Sequence, residues 1–141
     1  MPNENTQNPT SKGTMLILRG IKNLLHEAPA LAYAKKMGYV GEVLQASGEN
    51  GPTSDQANKA VARIQKDDVT ALYGFSGGGY NCRHIWNRLN AAHKAKIQRI
   101  VVLGSPGVQY NYFKGCPEII IFNNDQVAHM DQPDYFLKLM S

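Results

Sequence analysis

Along the 141-residue chain, short unbroken apolar runs alternate with longer segments whose apolar residues recur every three or four positions. Residues 15–18 (MLIL), 39–44, 69–73, 99–103 (RIVVL) and 118–122 (EIIIF) are of the first kind and predict five short strands. These runs do not alternate apolar with polar, so the sheet they build must be covered on both faces. The segments between them predict the covers. Residues 30–37 follow Pro29, which suits a first helical turn, and stop at Gly38, which suits the position just past a helix. Ala57, Ala60, Val61 and Ile64 share one helix face, after a loop over 48–54 that ends in Ser54 as a candidate N-cap. Residues 80–92 predict a third helix, with Cys82, Ile85 or Trp86, and Leu89 on its inner stripe, and 135–140 a short closing helix after Pro133 and Asp134. The stretch 104–117 shows neither period.

Helices between strands imply right-handed parallel crossovers. The fold class expected is therefore α/β: a doubly wound, five-stranded, mostly parallel sheet in the order 2-1-3-4-5 with helices on both faces. The Asn, Gln, Thr and Pro-rich residues 1–14 are expected to be a disordered tail, and 15–141 one domain. In such sheets ligands bind outside the carboxyl ends of the strands, at the switch point between the first and the third.

Composition narrows the function classes. The formal charge is +4, but Lys35 and Lys36, then Lys59, Arg63 and Lys66, then Lys94, Lys96 and Arg99 fall on three separate predicted helices or helix ends. That spread is the pattern of solvated helix faces and not of a nucleic-acid stripe, so no nucleic-acid partner is expected. No apolar run approaches the roughly 20 residues of a membrane span. The first fourteen residues lack the apolar core of a signal peptide, and Cys82 and Cys116 are expected as free thiols in the cytoplasm. No cluster of His, Cys, Asp and Glu has metal-ligand spacing, and neither a metal nor another cofactor is expected. Oligomeric state is not written in the pattern.

The chemistry sits where the third strand runs into Gly74-Phe75-Ser76-Gly77-Gly78-Gly79 and then a helix. This is G-x-S-x-G in a strand-turn-helix setting. A serine on so sharp a turn takes a strained backbone, and glycines two before and two after let strand and helix approach without Cβ clashes. The turn raises the serine Oγ above the sheet, and the helix N-terminus turns its amides to the same spot, making the Gly77 N–H an oxyanion donor. Neither a Walker A motif nor G-x-G-x-x-G is present; the competing readings are a plain tight turn or an anion site at the helix N-terminus.

A serine needs a base. Of four histidines, His84 and His93 lie on or at the end of the following helix as ordinary helix residues, and His26 lies in the loop after strand one. His129 lies after strand five, between Asp125 and Asp131, either of which would hold the second imidazole nitrogen. The order Ser76, Asp125, His129 is that of nucleophile, acid and base in the α/β hydrolases. With Leu18-Arg19-Gly20 after strand one, GFSGG at the turn, Gly104-Ser105-Pro106 after strand four and Asn124-Asp125-x-Val127 before a histidine, residues 15–140 resemble that superfamily in a minimal cutinase-like or lipase-like form. The resemblance implies an oxyanion donor at Gly20 or Ile21 and a catalytic acid at Asp125.

The chain departs from that pattern in its histidine, only four residues beyond the acid. A helical turn there pairs Asp125 with His129, and an extended one hands the role to Asp131 or Asp134. No segment is long enough for a lid, which points to a small or exposed ester or thioester. Tyr110, Tyr112 and Phe113, on the loop after strand four, are candidates to wall a substrate pocket. The expected activity is a serine esterase working through an acyl-enzyme; the alternative is a noncatalytic module that binds an anion or a partner protein at the Gly77–Gly79 amides.

Overall fold

The computed structural model describes residues 11–20, 24–45 and 54–122. Five strands, β1 (Thr14–Leu18), β2 (Val40–Val43), β3 (Val69–Phe75), β4 (Arg99–Leu103) and β5 (Glu118–Phe122), form one sheet in the order β2-β1-β3-β4-β5. Every neighbouring pair is parallel. Leu18 lies opposite Gly74, and Phe75 opposite Leu103, so the carboxyl ends of β1, β3 and β4 finish level. Four helices, α1 (Glu27–Lys36), α2 (Ser54–Ile64), α3 (Gly77–Arg88) and the short α4 (Ala91–Lys96), and a 3-10 turn (Tyr110–Phe113) complete the described chain.

Period-two geometry explains why the strands are apolar throughout. Met15, Ile17, Ala71, Tyr73, Phe75, Val101 and Leu103 point to one face and pack with Ala30, Tyr33 and Ala34 of α1. Leu16, Leu18, Leu72, Ile100 and Val102 point to the other, against Ala57, Ala60 and Ile64 of α2 and Cys82, Ile85 and Trp86 of α3. The expected α/β sheet, its order and its two covered faces are what the structure has. Among the described residues no helix is long and apolar enough to cross a membrane.

The differences lie at element ends. Helix α1 begins at Glu27, before Pro29, because proline in a first turn forgoes an N–H that has no intrahelical acceptor; Gly38 follows the helix at φ +93°. The third helix is two. After Arg88, Leu89 is extended, and the Asn90 side chain caps α4 by accepting from the His93 N–H at 2.8 Å, although the apolar stripe through Leu89 is unbroken. Residues 1–10 of the expected tail and the closing helix 135–140 lie outside the described residues. Residues 11–14 belong to the fold: the Lys12 N–H donates to the Gly38 carbonyl at 2.8 Å, the Thr70 hydroxyl donates to the Lys12 carbonyl at 2.6 Å, and Thr14 opens β1.

Basic residues of α2 and α4 meet carboxylates, while Lys94 lies over the Trp86 ring. Lys96 reaches Asp67 at 2.7 Å, and Arg63 grips both Glu42 on β2, at 2.7 and 2.8 Å, and Asp68, the residue before β3. Asp68 also accepts from the Thr14 hydroxyl at 3.0 Å. The Arg63 hydrogen bonds hold the Asp68 carboxyl well below its ordinary range, and those to Glu42 lower that carboxyl too. Groups depressed in the folded state stabilise it fully above their unfolded values, near pH 4, and lose that contribution as pH falls through the folded ones. Stability should therefore decline below about pH 4. Asp68→Asn should flatten that acid limb and cost about 0.5–1 kcal/mol at neutral pH, since the carboxylate is half exposed. Urea unfolding at pH 7, 4 and 2.5 measures both.

Candidate active site

β3 passes into α3 through Ser76, which adopts φ +53° and ψ −114°. None of the glycines of the turn, 74, 77, 78 and 79, has a positive φ; the serine takes the unfavourable conformation, at about 1–3 kcal/mol. It is held from three sides. The Ser76 N–H donates to the Leu103 carbonyl at 2.7 Å, while its carbonyl accepts from the Gly79 N–H at 2.9 Å and from the Ser105 hydroxyl at 2.6 Å.

The glycines supply room. A Cβ on Gly74 would lie 2.6 Å from the Gly78 carbonyl oxygen, one on Gly78 2.6 Å from the Leu18 oxygen, and one on Gly79 2.0 Å from the Ser105 Oγ. Helix α3 therefore starts flush against β1, β3 and the loop after β4, and it starts at Gly77, three residues earlier than its apolar stripe suggests. The Tyr80 hydroxyl fastens the same loop by donating to the Pro106 carbonyl at 2.7 Å.

The loop leaving β1 approaches the turn at Gly20, where a Cβ would stand 2.9 Å from the Ser76 Cβ and 3.3 Å from the Gly77 nitrogen. Two of the amides expected to hold an oxyanion thus face different fates. Gly77 opens a helix, where the first N–H groups have no intrahelical acceptor. The Gly20 N–H instead donates to the Leu24 carbonyl at 2.9 Å, closing its own loop. Ile21 lies outside the described residues. Further on, Leu24, Leu25, His26 and Phe75 line a cavity of about 210 Å³, with the His26 ring edge-on to Phe75 at 5.5 Å. The Arg19 guanidinium meets Glu27 at 2.6 Å across this loop.

Asp125 and His129, with Asp131 and Asp134, lie outside the described residues. The strand that leads to them, β5, ends at Phe122, whose carbonyl accepts from the Gly104 N–H at 2.8 Å on the edge where Ser76 stands. Of the aromatic trio after β4, Phe113 requires a correction as a pocket wall. Phe113 is fully buried against Trp86, ring centroids 6.5 Å apart; Tyr112 lies under the Arg83 guanidinium at 3.8 Å; Tyr110 is exposed. Their loop turns down along the middle of α3 and away from its N-terminus, because the apolar side of α3 recruits Phe113 to the core. His84 is exposed and His93 stands 3.6 Å from Asp67, as ordinary helix residues. Cys82 and Cys116 are free and buried, and burial pushes the Cys82 thiol up to about 12, which removes it as a nucleophile at neutral pH.

Three polar residues around the turn have no role in the pattern, and only Ser105 enters it at all, within Gly104-Ser105-Pro106. Ser105 clamps the Ser76 carbonyl, and Gln56 and Asn81, both buried, join α2 to α3 by a 2.6 Å bond from the Asn81 amide to the Gln56 carbonyl oxygen. Gln56 next to Ala57, and Asn81 next to Cys82, are polar residues on inward faces, and that mismatch is the signal.

No protein-family model matches the chain, and neither does any curated protein sequence. Solved structures do. A candidate hydrolase of the alpha/beta superfamily from Xanthomonas campestris pv. campestris superposes with a TM-score of 0.54 at 14% identity, over 71% of this chain and 61% of that one. A protein of unknown function from Agrobacterium tumefaciens, a candidate alpha/beta hydrolase, superposes with a TM-score of 0.50 at 13% identity, over 92% of this chain and 69% of that one. The match spans less than two-thirds of the Xanthomonas protein's length. The chain thus has the mostly parallel, helix-flanked five-stranded sheet of a minimal α/β-hydrolase-like fold.

Proposed function

We propose that the protein is a serine hydrolase of small carboxylic esters or thioesters, of minimal cutinase-like or lipase-like kind, with Ser76 on a nucleophile elbow. The observation that carries this reading is the positive φ of Ser76 between a strand and a helix, over-determined by the Leu103, Gly79 and Ser105 contacts. Such strain persists where the exposed position of the side chain is the purpose of the turn. In this reading the Ser76 Oγ attacks the carbonyl carbon as His129 takes its proton. Asp125, or Asp131 in its place, orients His129. The Gly77 N–H, with Ile21 as second donor, holds the oxyanion. The tetrahedral intermediate expels the alcohol or thiol, which receives the proton from His129; water then repeats the sequence on the acyl-enzyme and frees the acid and Ser76. The apolar cavity of Leu24, Leu25, His26 and Phe75, beginning at the residue before Ser76, suits a short acyl group.

A fluorophosphonate probe should label the wild-type protein and leave Ser76→Ala unlabelled, and His129→Ala should lower turnover of a p-nitrophenyl ester by about 10⁴-fold. An unlabelled wild type, or equal labelling of Ser76→Ala, overturns the reading in favour of a noncatalytic module binding at the Gly77–Gly79 amides.

The strain gives a second test. Glycine adopts a positive φ without penalty, so Ser76→Gly should be more stable than Ser76→Ala by about 1 kcal/mol, read from paired thermal or urea melts. Equal stability would mean that the turn stores no strain.

A further inference from the structure

The Arg19–Gly20 peptide is one rigid plane, and it is gripped at both ends. Its N–H donates to the Leu24 carbonyl at 2.9 Å. Its C=O, that of Arg19, accepts from the Gln56 side-chain amide at 2.9 Å, and the Gln56 carbonyl oxygen accepts in turn from the Asn81 amide at 2.6 Å. Asn81 stands on α3 one turn after the residues that carry Ser76 and Gly77, and Gln56 on α2, each only 3% exposed. The chain of bonds has one sense only. Gln56 must present its NH₂ to a carbonyl at one end, which turns its oxygen to the Asn81 donor at the other.

What the relay holds is the wall of the reacting space. A Cβ on Gly20 would come within 3.3 Å of the Gly77 nitrogen and 2.9 Å of the Ser76 Cβ, and the Arg19 oxygen lies 2.9 Å from where a Gly78 Cβ would be. A shift of this peptide by an ångström would bring it over the Gly77 amide or open a gap beside it. Resting on the hydrolase reading of Ser76, we infer that Gln56 and Asn81 are positioning residues: a buried relay from α3 through α2 that sets the Arg19–Gly20 peptide against the oxyanion side of Ser76. Neither side chain needs to touch the substrate. A misplacement of this order costs turnover and leaves binding of the acyl group nearly intact.

The test uses near-isosteric changes of polarity. Gln56→Glu keeps an oxygen for Asn81 but turns a second oxygen, in place of the donor, on the Arg19 carbonyl. Asn81→Asp makes Gln56 turn its NH₂ to the new carboxylate and its oxygen to Arg19. Both variants, wild type and Ile85→Val as a core control are compared well below their melting temperatures. The readouts are kcat and KM on p-nitrophenyl butyrate, the rate of fluorophosphonate labelling, and the Gly20 and Gly77 amide resonances in ¹⁵N NMR spectra.

In both relay variants kcat and the labelling rate should fall about 100-fold with KM within about twofold, and both amide resonances should move. Ile85→Val should melt lower with kcat unchanged. Should Gln56→Glu or Asn81→Asp turn over and label like wild type, the relay is structural only and the inference is overturned while the hydrolase reading stands. A fall in kcat with unmoved amide resonances also overturns it. A wild type that neither labels nor turns over ester removes the hydrolase reading and this inference together.

Discussion

The structure around the site depends on how closely the first turn of α3 can approach the carboxyl ends of β1 and β3. Ordinary residues at 74, 78 or 79 would put a Cβ within 2.0–2.6 Å of the Gly78 oxygen, the Leu18 oxygen or the Ser105 Oγ, the first two of them backbone atoms. With those atoms absent, the helix seats directly on the switch point of the sheet. Its first amides, the β1 loop at Gly20 and the Ser76 side chain then share one small volume. The glycines serve a distance here and not a dihedral, since the positive φ belongs to the serine. Two requirements that glycine often meets together are split between neighbours, which puts the side chain at 76 on the residue of the turn that takes the positive φ.

Strain of about 1–3 kcal/mol at a single residue is a sizeable part of the 5–15 kcal/mol that holds a domain of this size. It is tolerable because the clamps come from elements that are themselves fixed. Leu103 ends β4 and is 2% exposed, and Ser105, fully buried, follows it by two residues. Gly79 is in the helix that the strain creates. Breaking any one clamp leaves the others in register, because β3 and β4 are aligned from Ala71 and Arg99 to Phe75 and Leu103. The rigid sheet therefore sets where Ser76 sits, and the loops decide what surrounds it.

How much of this was legible in the sequence follows from which forces act over short distances. The strands were visible because burial on both faces removes every polar residue from runs such as Ile100 to Leu103, and β4 and β5 match their expected bounds. The G-x-S-x-G turn was visible because its steric demands fall within five residues. The break between α3 and α4 was hidden because Leu89 keeps the apolar period through it, while the Asn90 cap overrides that period locally. Phe113 was misread for the reverse reason: its loop shows no period, and only the packing of Trp86 across the fold says that it belongs to the core. Gln56 and Asn81 lie 25 positions apart and have no shared motif. Their meaning appears only when α2 and α3 are laid side by side.

The two faces of the sheet divide the site between them. On the α2 and α3 face, Ser105 meets the backbone carbonyl of the turn, and Gln56, itself held by the Asn81 amide, meets that of the β1 loop, so the polar contacts lie on that face. On the α1 face, Phe75 turns its ring toward Leu24, Leu25 and His26, and the contacts there are mainly apolar. Period-two alternation makes the division unavoidable. Phe75 points to one side because Gly74 points to the other, and Gly74 must do so for α3 to pass. The residue before the serine is thus committed to the α1 face by the geometry that admits the helix. A change in the volume of residue 75 would reshape the cavity there without entering the seat of α3. In the hydrolase reading proposed above, acyl preference and serine positioning can therefore vary independently, since the side chains assigned to them lie on opposite sides of one strand.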